Sequence, residues 1–398
     1  MAALFPRRAA CIGGALILSV MVACGGGSSS SIQIAAPGVV GTGPAEISVG
    51  SINGFGSIVV NGVHFDERTS TVTDEDQNTY TPQDLKLGMV VEVRSDAVSG
   101  ATGTAQSVRI VSQLRGGVDS VDMANQELQM LGWTVEIDSD TVFDNLAGIA
   151  DVHAGDLLQV FGFYNYHFQT IEAMRVTRLS ALPAAGMTLR GIVSVPDAAA
   201  KTFKIGDLTI DYRNAALAQL SSGPDVGMLV RVNGAAPVRN VMQASRVEGV
   251  TVDLSGIDFA TVNGIVSDFQ SQASFKVEGM AVDGSQARLI GTTHGTLGGG
   301  ARVALYGNVV GGVIRAELIT IYPNTTVTTS SSFTLSGPIG SFVSASSFKV
   351  RGMTIDASQA AFSGGTAQNL ADSLQVTVTG PLQNSPSGTV LKAMQVTF

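Results

Sequence analysis

The sequence predicts an all-β chain built from five small β-barrels in tandem, and three observations carry that prediction. Residues 274–287 (SFKVEGMAVDGSQA) and 347–360 (SFKVRGMTIDASQA) agree at ten of fourteen positions. Looser copies of the phrase stand at 57–67 (SIVVNGVHFDE), 127–137 (ELQMLGWTVEI) and 202–212 (TFKIGDLTIDY). The chain has 398 residues with 47 Gly, 14% charged and 6% aromatic residues. That composition favours short strands joined by tight turns.

Four columns keep one period. The acid that ends the phrase is Asp66, Glu136, Asp211, Asp283 and Asp356, at intervals of 70, 75, 72 and 73 residues. Each unit opens on a glycine before an apolar strand: Gly50, Gly116, Gly191, Gly264 and Gly337. A later strand recurs as LKLGMVVEVR (85–94), HAGDLLQVFG (153–162), DVGMLVRVNG (225–234), GGGARVALYG (298–307) and ADSLQVTVTG (371–380). Each unit closes on an Ala followed three residues on by an aliphatic residue, as in Ala105/Val108 and Ala393/Val396. Independent columns in one register mark tandem duplication.

The chain begins with a segment outside the fold. Arg7 and Arg8 precede an apolar run, 9–23, too short to span a bilayer. The run ends in Met21-Val22-Ala23-Cys24, which resembles a bacterial lipoprotein signal and implies lipid on Cys24 after removal of 1–23. Gly25 at the next position implies outer-membrane sorting in a cell that has an outer membrane. Cys11 would leave with the signal, so the mature chain is expected to hold no disulfide. Residues 24–45 read as a disordered Gly/Ser-rich tether.

The units follow at 46–112, 113–180, 187–252, 260–322 and 333–398, with a polar hinge at 323–332. In each, one strand follows the opening glycine, and two form a hairpin over turns such as Asn61-Gly62, Glu278-Gly279 and Arg351-Gly352. Asn-Gly suits a type I′ turn because both central residues need positive φ. Two later strands complete the unit. Residues 215–220 (AALAQL) read as a short turn before the fourth strand. Five strands in so short a span suit a closed OB-like barrel, which removes exposed sheet edges. Units of this size are marginal alone, so neighbours are expected to pack together.

The stretches GFGSIVVNGVHFD (54–66) and DLKLGMVVEVR (84–94) resemble the bacterial domain-of-unknown-function family DUF5666, found in secreted and lipid-anchored proteins. The likeness extends over most of 46–398, although units two to five lack the GFGS run. It implies OB-like barrels and an envelope location, and brings no catalytic residue.

No catalytic set emerges from the residues. One carboxylate per unit makes no calcium site, which wants six to eight oxygens, so the acid column reads as solvent-facing strand ends. The acidic TDEDQNTY (73–80) lacks the spacing of a calcium loop and reads as a solvated loop. His64, His153, His167 and His294 fall at unrelated places, none in HExxH spacing, so no metal is expected. GFGSIVVNG has no Lys-Ser/Thr and opens a hairpin, unlike a phosphate loop, and no GxSxG elbow occurs. No cofactor is implied. The net charge of −9 disfavours nucleic acid.

One cluster stands out: FGFYNYHF (161–168), between the fourth and fifth strands of unit two. Its rings either fill the barrel or form a ligand platform, with Phe163, Tyr164, Tyr166 and His167 as the candidate contacts. Trp133 aligns with Met280 and Met353 and is expected in the core. The sequence reading is a non-enzymatic envelope lipoprotein, a rod of barrels held to the membrane through Cys24, in a structural, adhesion or protein-binding role. The alternative is oligosaccharide or peptide binding through the aromatic loop; an envelope protein or glycan is the expected partner.

Overall fold

The computed structural model describes residues 45–99, 101–165, 169–291, 295–322, 332–385 and 388–398. The signal segment, Cys24, the tether up to residue 44 and hinge residues 323–331 lie outside the described residues.

The predicted strands form, and they close. In barrel 1 the first strand (Ala45–Phe55) pairs antiparallel with the fourth (Val90–Asp96) along its N-terminal half. Its C-terminal half pairs with the second (Ile58–Val60). The second pairs with the third (Val63–Asp66), which runs parallel to the fifth (Thr102–Val111), and the fifth returns beside the fourth. The ring runs one-two-three-five-four-one, the connectivity of an OB-like barrel.

Four more rings repeat this order. Barrel 2 opens at Leu114–Gly117 and closes on Thr170–Arg178. Barrel 3 runs from Met187–Ile192 to Val241–Gly249. Barrel 4 runs from Phe259–Ser271 to Val313–Ile321. Barrel 5 runs from Ser332–Ser344 to a fifth strand in two pieces, Gly388–Lys392 and Gln395–Thr397. Each ring carries an additional short strand that runs parallel to the end of the fifth, such as Thr71–Asp74 and Ala361–Ser363. In barrel 3 this strand is Ala216–Ala218, where the sequence suggested a turn.

The hairpin turns take the predicted geometry. Asn61-Gly62, Leu131-Gly132, Glu278-Gly279 and Arg351-Gly352 all have positive φ at both residues. The opening glycine exists for the first turn residue, whose side chain folds back over it. A Cβ on Gly50 would lie 2.4 Å from Asn61 Oδ1, and one on Gly264 would lie 2.3 Å from Glu278 Cγ.

The barrels do not string out as a rod. A rod would leave each barrel touching only its sequence neighbours, whereas the first strand of barrel 1 pairs in parallel with that of barrel 4 (Glu46–Val49 beside Phe259–Val262). The same strand also meets barrel 5, Gly54 and Phe55 beside Thr334 and Leu335. The first strands of barrels 2 and 3 pair antiparallel, Leu114 beside Leu189. The physical reason lies in the first strand. Its N-terminal half is bonded to the fourth strand on one edge only, and a free edge is satisfied by another strand. The cores follow these seams. One apolar cluster joins barrels 1 and 5, a second joins barrels 2 and 3, and that of barrel 4 takes in Ile47 and Val49 of barrel 1.

Candidate functional site

The acid column is a turn device. In four of the five units Oδ1 of the aspartate accepts the backbone N–H two residues on: Arg68 to Asp66 at 3.2 Å, Arg213 to Asp211 at 3.1 Å, Ser285 to Asp283 at 3.0 Å and Ser358 to Asp356 at 3.0 Å. This Asx-type bond ends the third strand. The second oxygen takes a cation: Arg315 Nη1 on Asp283 and Lys392 Nζ on Asp356, each at 2.7 Å from the adjoining fifth strand. Asp66 and Asp211 take the guanidinium two residues on. The Arg68 hydrogen bond holds the Asp66 carboxyl down at about 2. Asp211 departs from the expected solvent-facing end, because it is buried. Glu136 is the exception in charge. Burial raises its carboxyl, with Thr170 acting in the opposite direction.

The acidic stretch 73–80, expected as a solvated loop, is solvated only in its second half: 77–80 are exposed, whereas 73–76 are partly buried. Asp74 holds the turn by accepting the N–H groups of Asp76 and Asn78 and the Tyr80 hydroxyl at 2.9–3.0 Å. That turn aims Glu75 and Asp76 between barrels, onto three arginines that are each 4–5% exposed. Asp76 takes Arg115 of barrel 2 at 2.7 Å and Arg231 of barrel 3 at 2.5 Å. Glu75 lies 3.6 Å from the Nε atoms of both Arg190 and Arg231. Arg190 also meets Glu278 of barrel 4 at 3.1 Å. Three guanidinium groups thus face three carboxylates where four barrels converge. Burial raises Asp76, but Arg115 and Arg231 outweigh it and hold the carboxyl below its usual range.

Sequence reasoning missed these arginines, yet a signal was present. Arg115 and Arg190 stand immediately before the opening glycine, and Arg231 lies opposite Arg190 on the fourth strand. The corresponding pairs are Val49/Glu92, Asn263/Ala304 and Ser336/Thr377 in barrels 1, 4 and 5. The column varies by barrel because it faces different neighbours.

The aromatic cluster resolves in part. Phe163 and Tyr164 are 4% and 2% exposed, so neither forms a surface platform. Tyr164 packs on Trp133 at 4.5 Å between ring centres, and Trp133 is fully buried as expected. Arg302 of barrel 4 is sandwiched between Phe163 and Tyr322, at 4.3 and 4.4 Å from the ring centres, and its guanidinium meets Glu172. The sandwich joins barrels 2 and 4. Tyr166, His167 and Phe168 lie outside the described residues, as does His294. His64 is exposed beside Ser57, and His153 is exposed 4.0 Å from Asp156. Among the described residues no three His, Cys, Asp or Glu side chains converge as a metal site.

The fold defines a class: a tandem assembly of OB-like barrels with one set of charged groups, Glu75, Asp76, Glu278 and three arginines, drawn into a joint. Residues 48–109 and 115–177 match the family model for Domain of unknown function (DUF5666), so barrels 1 and 2 are two tandem copies of that family's repeat. No curated protein matches the chain. A solved structure titled drosophila Unr CSD456 is similar over 53% of this chain and 98% of that one, at 12% identity and a TM-score of 0.13. A likeness at that score carries no argument, and the OB-like assignment rests on strand pairing alone.

Proposed function

We propose that this chain is a non-enzymatic lipoprotein of the cell envelope, tethered through Cys24, whose barrels act as a protein-binding or structural scaffold. The observation that supports this most is where the charge goes. Glu75, Asp76, Glu278 and the three arginines are spent on joints, and four of the repeated aspartates on turns and adjacent cations. The polar groups shared by the repeats thereby serve construction. The anchoring half of the reading rests on the basic, apolar and cysteine pattern of residues 7–24.

The test has two arms. Cells fed an alkyne fatty acid should label the native chain, and the Cys24→Ala variant should lose both label and membrane fractionation. In-cell crosslinking followed by purification of the native chain should give a discrete protein adduct that Cys24→Ala loses. An unlabelled native chain would overturn the anchor, and a labelled chain without an adduct would overturn the binding role.

A further inference from the structure

The first strand of barrel 1 inverts the pattern of its counterparts. In barrels 3, 4 and 5 the two inward positions before the opening glycine are Met187/Leu189, Ala260/Val262 and Phe333/Leu335. Barrel 1 has Glu46 and Ser48 there, and turns Ile47 and Val49 outward into the core of barrel 4. The partner position inverts as well. Glu46 lies opposite Ser95, whereas Met187, Ala260 and Phe333 lie opposite Gly234, Gly307 and Gly380. Glu46 is 6% and Ser95 1% exposed, and neither Glu46 Oε1 nor Ser95 Oγ has a hydrogen-bond partner among the described residues. An ionised carboxylate in such a place is poorly solvated and has no counter-ion among the described residues, so the proton decides its energy.

We propose that Glu46 makes the seam between barrels 1 and 4 a proton-sensitive joint, tight while its carboxyl is protonated and loosened when it ionises. The seam is short. Four residue pairs join the strands, assisted by Thr261 Oγ1 to Ser48 Oγ at 2.8 Å and Asn61 Nδ2 to the Thr261 carbonyl at 3.3 Å. Glu46 is the first of the four.

Among the described residues, the groups around Glu46 supply no compensating charge. From the fourth strand, Ser95 and Val93 share its face, while Arg94 and Glu92 pair with each other on the opposite face. Asp96 accepts from Gln106. From the fifth strand, Ala105 stands opposite Ser95, and Arg109 is turned to Glu92. From barrel 4, Phe259 stands beside Glu46, and Tyr306 packs on Phe259 at 6.2 Å. Asp258, whose N–H donates to the Ala45 carbonyl, is exposed. Burial is the sole cause acting on Glu46, and it lifts the carboxyl from 4.5 to about 7. Stability from the protonated form is therefore fully present below pH ~4.5 and is lost as pH rises through about 7.

Hydrogen exchange on the detergent-solubilised full chain, corrected for intrinsic rates, reads the joint directly. Between pH 5 and pH 8.5 protection at 46–49 and 259–262 should fall about 10-fold or more, while 376–378 in barrel 5 stays level. Glu46→Gln should remove the pH dependence and hold the seam closed throughout. A native seam indifferent to pH, or a Gln variant with the native dependence, overturns the joint. If the variant fails to fold, 13Cδ-glutamate spectra of the native chain decide. A Glu46 midpoint near 7 supports the joint, and one below about 5 overturns it.

Discussion

Glu278 joins two barrels from a single turn: Oε1 accepts the Ile265 N–H of its own barrel at 3.1 Å, and Oε2 meets Arg190 of barrel 3 at 3.1 Å. Its side chain reaches both by crossing Gly264, where a Cβ would lie 2.3 Å from Cγ. Gly264→Ala should therefore expel Glu278 and lose both bonds. The expected cost is about 1–3 kcal/mol, read as a lower urea midpoint. Gly340→Ala is the control. It sits in a strand with no atom within 4 Å of the added methyl, and should leave the midpoint unchanged or slightly raised.

The arginine cluster predicts an asymmetric response. Arg231→Met removes one guanidinium and leaves the partly buried Glu75 and Asp76 with less counter-charge. A loss of about 3–5 kcal/mol is expected from breaking a buried pair on one side. Replacing Glu75, Asp76, Arg115 and Arg231 together by apolar residues of similar volume keeps the Arg190–Glu278 pair and should restore much of it. Denaturant curves for the two variants check this.

Acid should unfasten the turns in a defined window. Burial pushes Asp356 up, but Lys392 and Ser358 outweigh it and hold the carboxyl at about 2. A depressed carboxylate contributes stability that is present above its unfolded value near 3.8 and lost as pH falls through the folded one. Asp66, held at about 2 by Arg68, follows the same sign. Lys392→Met should lower Tm at pH 6 and make little difference at pH 2. Thermal melts across that range measure it.

Phe163 provides a test of packing against recognition. Phe163→Ala opens a cavity between barrels 2 and 4 and removes one face of the Arg302 sandwich. A loss of about 3–5 kcal/mol in global stability is expected. A surface contact residue would leave the melt nearly unchanged, so differential scanning calorimetry separates the two roles.

Much of this architecture was legible in the chain because barrel geometry is local. A hairpin needs positive φ at two adjacent residues, and Asn61-Gly62 and Glu278-Gly279 advertise it. Period-two alternation placed Phe275, Val277, Met280 and Val282 on one face, and all four are buried. The repeated acid was visible as a column, but its Asx bond and its Arg or Lys partner were not. Strand three meets strand five only after the barrel closes.

What sequence alone determined, then, was the unit: its five main strands, most of its turns, its core positions and the number of copies. These follow from backbone conformation and from which side of a strand is apolar. The tertiary structure decided how units meet. Glu75 and Asp76 read as a wet loop until Arg115, Arg190 and Arg231, 39 to 156 residues further along, arrive beside them. Glu46 read only as the first residue of unit one until a strand from barrel 4 closed over its edge. Charge tolerates burial only where partners from distant segments supply compensation, and among the described residues Glu46 is left without it. No local pattern specifies that, because the compensating or missing group belongs to another barrel.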